Sequence, residues 1–513
     1  MHVRTIFLAA ALAMLPGLAA ALTPQFAELT ALPAGGTLVV PVTEEGQLPA
    51  ALPATARASL EAAMASARFS GKSGEVLSQF GAGPFARVLL LGLGKEAITA
   101  RRLQDLGGSA IAQLGLDGGN QVAVLWPGLE TAAAHPAAHI ALGLQLGGYR
   151  FDKYKSPQAG EEAPQPNVLT VYSAAADQAR AHWRRELAPV AQGVYFARDL
   201  INEPANVIYP ASFVERTRKA FRGVDNVAIE VLDVRDMEQL NMGALLGVGM
   251  GSERPPRLLV VHYRGGERGQ APLAFVGKGV TFDTGGISLK SSKGMWRMKY
   301  DMAGAAAVTG TVLALAQRQA PVNAVAVAAL VENMPSPRAQ RPGDVRTTMS
   351  GKTIEIINTD AEGRLILADA IWYTQDQFDP ALVVDVATLT GAVKTALGLH
   401  YAGLFSRHDE LVEQVLAAGV SSGEEAWRLP LHPGFTEAIK SDIADVKNSV
   451  AGGHGGASIG AAFIGTFVNE DTRWVHLDIA SRAWALEPTA TTPRGAVGWG
   501  VRLLNQLVLD YYQ

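Results

Sequence analysis

Residues 273–290 have the sequence LAFVGKGVTFDTGGISLK. The apolar run that begins at Leu273 predicts a strand buried on both faces, as in a sheet that helices cover on both sides. The Gly285–Gly286 pair after it predicts a tight turn, because glycine adopts backbone angles that other residues avoid and lets the chain approach a ligand closely. Three charged side chains are spaced around this turn: Lys278, Asp283 and Lys290. The segment therefore predicts a strand whose carboxyl end carries polar chemistry.

Strands and helices alternate on either side of this segment. The apolar runs at 258–263, 322–331 and 382–387 predict strands, and the stretches 303–319 and 365–377 predict helices. Such alternation is typical of α/β domains. We therefore expect the second part of the chain to be a larger three-layer α/β domain with a mostly parallel central sheet. In sheets of this kind, ligands bind beyond the carboxyl ends of the strands.

The first part of the chain shows the same alternation but contains few polar motifs. Strands are predicted over 37–42, 88–94 and 122–126, and helices over 99–114 and 132–146. Together these elements predict a small N-terminal α/β domain.

The chain divides into four predicted segments. Residues 1–21 form a signal peptide, 22–175 the N-terminal α/β domain, 176–205 a linker helix and 206–513 the larger C-terminal domain. A stretch rich in Pro, Gly, Glu and Asn at 156–167 predicts an exposed loop near the end of the N-terminal domain.

Composition limits the classes of function that the chain can serve. Of its 513 residues, 48% are hydrophobic and 18% are charged, so it can bury a sizeable core. A formal charge of −4 argues against a nucleic-acid partner, because there is no excess of positive charge to displace phosphate counterions. The count of cysteines is 0, which excludes disulfides, Cys-ligated zinc, iron–sulfur clusters and thiol nucleophiles.

The start of the chain has the three parts of a secretory signal. A basic start at 1–4 precedes an apolar stretch at 5–18, and small residues follow at 19–21. The stretch is too short for a permanent bilayer anchor, and later segments lack an apolar run long enough to span one. We therefore expect export to the periplasm or the medium, with no membrane contact by the mature protein.

Four carboxylates are predicted to gather at the strand ends. Asp283 ends the quoted strand, Asp301 lies just before a helix of small residues that starts at Ala303, and Asp360 and Glu362 follow a strand-like run. Without compensation they would repel one another and take up protons. Two divalent cations would balance their charge, and oxygen ligands suit hard or borderline metals. A set of ordinary helix caps and surface ion pairs is the alternative that these residues alone leave open.

The stretch at 358–365, NTDAEGRL, resembles the signature of the leucyl aminopeptidase (cytosol aminopeptidase) family. Further matches follow the family order over most of 197–500: ARDLINEP at 197–204, the segment 276–290, MKYDM at 298–302, VENMPS at 331–336 and WVHLDIA at 474–480. The N-terminal part is only loosely similar. Ser291, Trp296 and Arg297 depart from the family pattern, which affects the rim of the site and substrate preference.

The resemblance implies a di-metal exopeptidase in which residues 206–513 are the catalytic domain. It implies two divalent metal ions per subunit, Zn²⁺ or Mn²⁺, held by five side chains. Asp283 and Glu362 would bridge both ions. Lys278 and Asp301 would complete one metal site, and Asp360 would complete the other.

The resemblance also implies roles for three further side chains. Lys290 would stay protonated and stabilise the oxyanion of the tetrahedral intermediate. Arg364 would hold a bicarbonate that acts as general base, and Met298 would line the pocket for the first side chain, which favours Leu or Met. The reaction would be attack of a metal-bridging water on the first peptide bond of a peptide with a free N-terminus. Family members are typically homohexamers and mostly cytosolic, so a cytoplasmic location is the alternative to export.

Two other functions have weaker support in the sequence. GASIG at 456–460 fits the G-x-S-x-G pattern of serine hydrolases, but a convincing strand does not precede it, which favours a glycine-rich turn. Some bacterial relatives in the family also bind DNA. The export signal and the net charge of −4 argue against that role here.

Overall fold

The structure, a computed structural model, describes residues 23–114, 121–129, 131–156, 168–452 and 454–513. The predicted signal peptide lies outside these residues, and so does nearly all of the predicted loop at 156–167.

The N-terminal part is a six-stranded sheet with helices. Its strands are β1 (Gln25–Ala27), β2 (Thr37–Thr43), β3 (Val76–Ala82), β4 (Phe85–Gly94), β5 (Gln121–Leu125) and β6 (Val168–Tyr172), and its helices are α1 (Ala54–Ala67), α2 (Ala100–Leu114) and α3 (Pro136–Gly147). The strand order is β1-β6-β5-β2-β4-β3, and all pairings are parallel except β3 with β4. The elements predicted for this part are therefore confirmed.

A long helical segment leads into the second part. It consists of α4 (Ala176–His182), a π-helical turn (Trp183–Leu187) and α5 (Ala188–Asn202). Arg198 on α5 is 2% exposed and donates to three backbone carbonyls: Leu146 at 2.8 Å, Val497 at 2.9 Å and Thr491 at 2.8 Å. Since Leu146 belongs to α3 and the other two lie near the C-terminus, this side chain joins the two parts.

The second part contains the remaining elements. Its strands are β7 (Val227–Leu232), β8 (Arg257–Arg264), β9 (Leu273–Asp283), β10 (Asn323–Asn333), β11 (Val345–Thr347), β12 (Thr353–Glu355), β13 (Leu382–Ala387), β14 (Ala402–Phe405), β15 (Ala426–Arg428), β16 (Val446–Lys447), β17 (Trp474–Asp478), β18 (Trp484–Ala485) and β19 (Gly495–Ala496). Its helices are α6 (Pro210–Ala220), α7 (Val234–Gln239), α8 (Gly243–Gly249), α9 (Ala303–Gln317), α10 (Gly363–Phe378), α11 (Gly391–Leu397), α12 (Asp409–Ser422), α13 (Pro433–Ala438), α14 (Gly456–Gly465) and α15 (Val501–Tyr511). Short 3₁₀ helices lie at Leu29–Ala31 and Met295–Tyr300.

The central sheet of the second part has eight strands in the order β15-β14-β17-β13-β9-β10-β8-β7. Its middle is parallel, from β17 through β13 and β9 to β10, as predicted. The strands toward the edges add antiparallel pairs, β14 with β17 and β8 with both β10 and β7. The sheet is therefore mixed, and the parallel strands form its centre.

Helices cover both faces of this sheet. Successive side chains of β9 point to opposite faces: Phe275 packs in a core shared with α5, α9 and α15, and Val276 packs in a core shared with α8, α10 and α14. The predicted three-layer architecture is confirmed. Among the described residues, the helices are all too short or too polar to cross a bilayer.

Helix α9 lies unusually close to the sheet. A Cβ added to Gly304, in its first turn, would lie 2.0 Å from the carbonyl oxygen of Val386 on β13. The residues around Gly304 are also small and buried, from Ala303 to Ala307. This close contact fixes the start of α9, and thereby the preceding residue Asp301, against the ends of the strands.

We expect Gly304→Ala to destabilise the fold by about 2–3 kcal/mol, because the added methyl must displace backbone atoms in a packed core. Urea unfolding followed by tryptophan fluorescence would measure the change. Gly391→Ala is the matched control, since a Cβ there meets nothing within 4 Å. An unchanged unfolding midpoint for Gly304→Ala would show that α9 can move away from the sheet.

Candidate metal centre

The candidate site lies at the carboxyl end of β9. Lys278 lies within β9 and Asp283 is its last residue. Asp301 directly follows the 3₁₀ helix Met295–Tyr300, and Glu362 directly precedes α10. Strand ends and helix starts of distant parts of the chain thus meet at one edge of the sheet.

Three carboxylates form the centre of this site. Asp283, Asp301 and Glu362 are buried, and each offers an oxygen that lies within 4.8 Å of the others. The Lys278 Nζ atom lies 2.9 Å from Asp301 Oδ2 and 2.8 Å from Glu362 Oε1. The Lys290 Nζ atom lies 2.8 Å from Asp283 Oδ2. The structure therefore brings together five of the predicted side chains.

Asp360 lies beside this group and is more exposed. Its carboxylate contacts Lys290, which links it to the buried carboxylates, and 32% of its side chain is exposed. Burial raises the pKa of Asp360 to about 6, and the negative charge of Asp283 adds to the effect. Asp360 therefore faces the open side of the site.

Buried oxygens without partners indicate what the site can bind. Within the described part of the chain, Glu362 Oε2 has no hydrogen-bond partner, and Asp301 Oδ2 has only its ion-pair contact with Lys278. A buried carboxylate oxygen without a partner is costly. Convergent carboxylate oxygens beside a lysine amine are suitable donors for a divalent cation. The residues present therefore fit a metal centre.

The pKa values of the buried carboxylates are shifted in different directions: those of Asp283 and Asp301 are raised, and that of Glu362 is lowered. Burial, together with the negative charges of Glu362 and Asp301, raises the pKa of Asp283 to about 7. For Glu362, burial is outweighed by the charges of Lys278 and Lys290, which hold its pKa below the ordinary value. Because burial and like charges raise the pKa of Asp283, positive charge brought to the cluster would favour the ionised carboxylates.

Two residues that the sequence did not single out orient the cluster. Asn333, the last residue of β10, donates from Nδ2 to Asp283 Oδ1 at 2.8 Å. Thr388, which follows β13, donates from its hydroxyl to Asp301 Oδ1 at 2.7 Å and accepts from Lys278 Nζ at 2.9 Å through its carbonyl. Both stand at the ends of strands adjacent to β9, and that position is the signal that could have indicated them.

The cluster opens into a cavity of about 420 Å³ that Met298 and Arg364 also line. Arg364 is 7% exposed and donates from Nη1 to the Asn448 carbonyl at 2.8 Å. Burial lowers the pKa of Arg364 to about 10, so it remains protonated near neutral pH. Its Nε has no partner among the described residues. The cavity therefore has the cation Arg364 and the apolar side chain of Met298 in its wall.

The serine-hydrolase alternative is not supported by the surroundings of Ser458. This residue lies inside α14, whose first residue is Gly456, and it is 6% exposed. In the described residues before it, the nearest strand is Val446–Lys447. A nucleophile elbow places its serine at a sharp turn directly between a strand and a helix. The glycine-rich segment is therefore the start of a buried helix.

A model of the cytosol aminopeptidase family catalytic domain matches residues 195–505, and a model of that family's N-terminal domain matches residues 39–158. The chain belongs to the cytosol aminopeptidase family. A probable cytosol aminopeptidase from Rhodopseudomonas palustris is 46% identical over 498 residues, which cover 94% of this chain and 97% of the relative. Another, from Rhizobium meliloti, is 47% identical over 454 residues, which cover 87% of this chain and 90% of the relative.

Two solved structures share the fold. A mutant of tomato leucine aminopeptidase has a TM-score of 0.84 at 32% identity, with 96% of this chain and 98% of that chain covered. The bottromycin maturation enzyme BotP in complex with Mn has a TM-score of 0.81 at 32% identity, with 92% and 98% covered. The predicted resemblance and fold class are confirmed. As a member of the cytosol aminopeptidase family, the protein is a metal-dependent aminopeptidase, a hydrolase that acts on peptides.

We expect Asn333→Ala to weaken metal binding by about 10–100-fold, because Asp283 loses the donor that orients it. Titration of the metal-free protein against a chromogenic chelator would measure the affinity. Asn323→Ala, at the other end of β10, is the matched control, since the Asn323 side chain donates to the carbonyls of Glu267 and Gln270 and accepts from the N–H of Gly266, away from the cluster. Equal metal affinities for the two variants would show that Asn333 does not contribute to metal binding.

Proposed function

We propose that the protein releases N-terminal amino acids from peptides at a centre that holds two divalent cations, Zn²⁺ or Mn²⁺. The observation that carries this proposal is the convergence of Asp283, Asp301 and Glu362 within 4.8 Å. The unpartnered oxygen of Glu362 supports it, because an added cation would satisfy that buried atom. The carboxylates and the lysine amine do not distinguish zinc from manganese.

Five side chains would hold the two cations. Asp283 and Glu362 would bind both, Lys278 and Asp301 would complete one site, and Asp360 would complete the other. Lys278 ligates a cation only as the neutral amine, so binding would release its proton. When bound, such a pair of cations activates water as a nucleophile and polarises the carbonyl of the scissile bond.

Lys290 would stabilise the negative charge that develops on the substrate. Burial lowers the pKa of Lys290, but the charges of Asp283 and Glu362 outweigh burial and hold it above the ordinary value. Lys290 therefore remains a cation and can donate to an oxyanion in the cavity. Its side chain is 24% exposed, which leaves it accessible to a substrate.

Arg364 would hold a bicarbonate that serves as general base. Its free Nε supplies a donor that the neighbouring protein groups do not use. Met298 would line the pocket for the first side chain, and its apolar surface suits Leu or Met. The substrate would need a free N-terminus, since its α-amine would be a further ligand of the centre.

Variants at two positions separate binding of the cations from catalysis. We expect Glu362→Gln to lose bound metal and activity together, because it removes a charged ligand. We expect Lys290→Met to retain bound metal while kcat for leucine-p-nitroanilide falls about 100–1000-fold, as for loss of an oxyanion donor. Metal analysis beside steady-state kinetics would measure both. Full activity in either variant would contradict the assigned roles.

We propose that the chain consists of a signal peptide (1–21), an N-terminal domain (22–175), a linker helix (176–205) and a catalytic domain (206–513). The basic, apolar and small-residue parts of 1–21 support export to the periplasm or the medium. The names of the relatives, cytosol aminopeptidases, support the cytoplasmic alternative. We also propose a homohexamer, by resemblance to the family.

We expect the protein isolated from its native host to have Leu22 as its N-terminal residue, because a signal peptidase would cut after the small residues at 19–21. N-terminal sequencing would identify that residue. An intact Met1 would establish the cytoplasmic alternative. Light scattering on the same sample should give the mass of six subunits, and a monomer mass would contradict the proposed assembly.

A further inference from the structure

One lysine of the substrate cavity is not used by the cluster. Of the three lysines that line the cavity among the described residues, Lys278 and Lys290 are ion-paired with carboxylates. Lys394, on α11, is half-buried and has no carboxylate partner within the described part of the chain. It donates from Nζ to the phenolic oxygen of Tyr300 at 2.9 Å. This cation is therefore held in place without being neutralised.

Two segments place Lys394 and Tyr300 in the wall of the same cavity. Tyr300 directly precedes Asp301, and Met298 lies two residues earlier on the same 3₁₀ helix. Lys394 follows Thr388, whose hydroxyl bonds to Asp301. Both segments are thus anchored at Asp301. The lysine–tyrosine pair and Met298 line one cavity beside the cluster.

The chemistry of this pair points to a carboxylate. An ammonium group has three donors, and Tyr300 accepts one of them. A carboxylate can accept the others, and hydrogen bonds between two charged groups are about twice as strong as neutral ones. Tyr300 is 6% exposed, so the phenol holds the lysine from a fixed position in the wall.

We propose that Lys394 and Tyr300 form a subsite for the carboxylate of an acidic first residue, so that the enzyme releases Glu and Asp as well as Leu and Met. This inference rests on the proposed function. The methylene groups of a glutamate side chain would pack on Met298, as a leucine side chain would. Its carboxylate would reach Lys394, and a basic first residue would be repelled.

The test compares turnover of glutamyl- and leucyl-p-nitroanilide by the metal-loaded enzyme. We expect Lys394→Met to lower the ratio of kcat/KM for Glu over Leu at least about tenfold, because the charge partner of the substrate is lost. Lys394→Glu should reverse the charge preference and favour a lysyl substrate over a glutamyl one. Lys219→Met, at an exposed position on α6, is the matched control and should leave the ratio unchanged.

Two results would overturn the inference. One is absent Glu turnover by an enzyme that hydrolyses the leucyl substrate, and the other is an unchanged ratio in Lys394→Met. Absence of turnover on every substrate tested, with metal bound, would instead contradict the proposed function. The two proposals therefore fail in distinguishable ways.

Discussion

Burial of three carboxylates at one point is the constraint on which the rest of the site depends. Asp283, Asp301 and Glu362 are buried and repel one another, so the fold must supply positive charge there. Two lysines provide it within the chain, and both are ion-paired to the cluster at 2.8–2.9 Å. The site is therefore one electrostatic unit, in which the charge of each group sets the ionisation of the others.

Packing of the backbone makes that unit possible. The small residues at the start of α9 let the helix lie against the sheet, which brings Asp301 to the end of β9. The turn before α10 brings Glu362 to the same place, and Gly363 leaves room for the side chain of Lys278, since a Cβ there would lie 2.7 Å from its Cδ. Backbone atoms and small side chains thus set the distances between the charged groups.

The sequence predicts the fold and the charged side chains of the cluster well, because both leave local patterns in it. The apolar run at 273–277 and the Gly285–Gly286 turn predicted β9 and its chemistry, and Asp301 was indicated by the small residues after it. Asn333 lies within the stretch VENMPS at 331–336, but neither its contact with Asp283 nor the role proposed for Lys394 follows from the residues beside it in the sequence. Asn333 contacts Asp283 because β10 lies beside β9. Lys394 lies in the cavity wall because its amine donates a hydrogen bond to Tyr300. Such contacts depend on which helices and strands are neighbours in the folded protein, and the local sequence does not determine that.

Arg198 has a consequence for how the molecule can be divided. Its guanidinium is buried, and among the described residues its hydrogen bonds go to carbonyls of α3 and of the segment before α15. Truncation after α5 would remove the carbonyls of Val497 and Thr491 and leave the buried guanidinium with one of its three acceptors, whereas removal of α3 would take away the carbonyl of Leu146. Helix α5 is therefore held by both parts of the chain, and loss of either part would leave a buried charge without some of its hydrogen-bond acceptors.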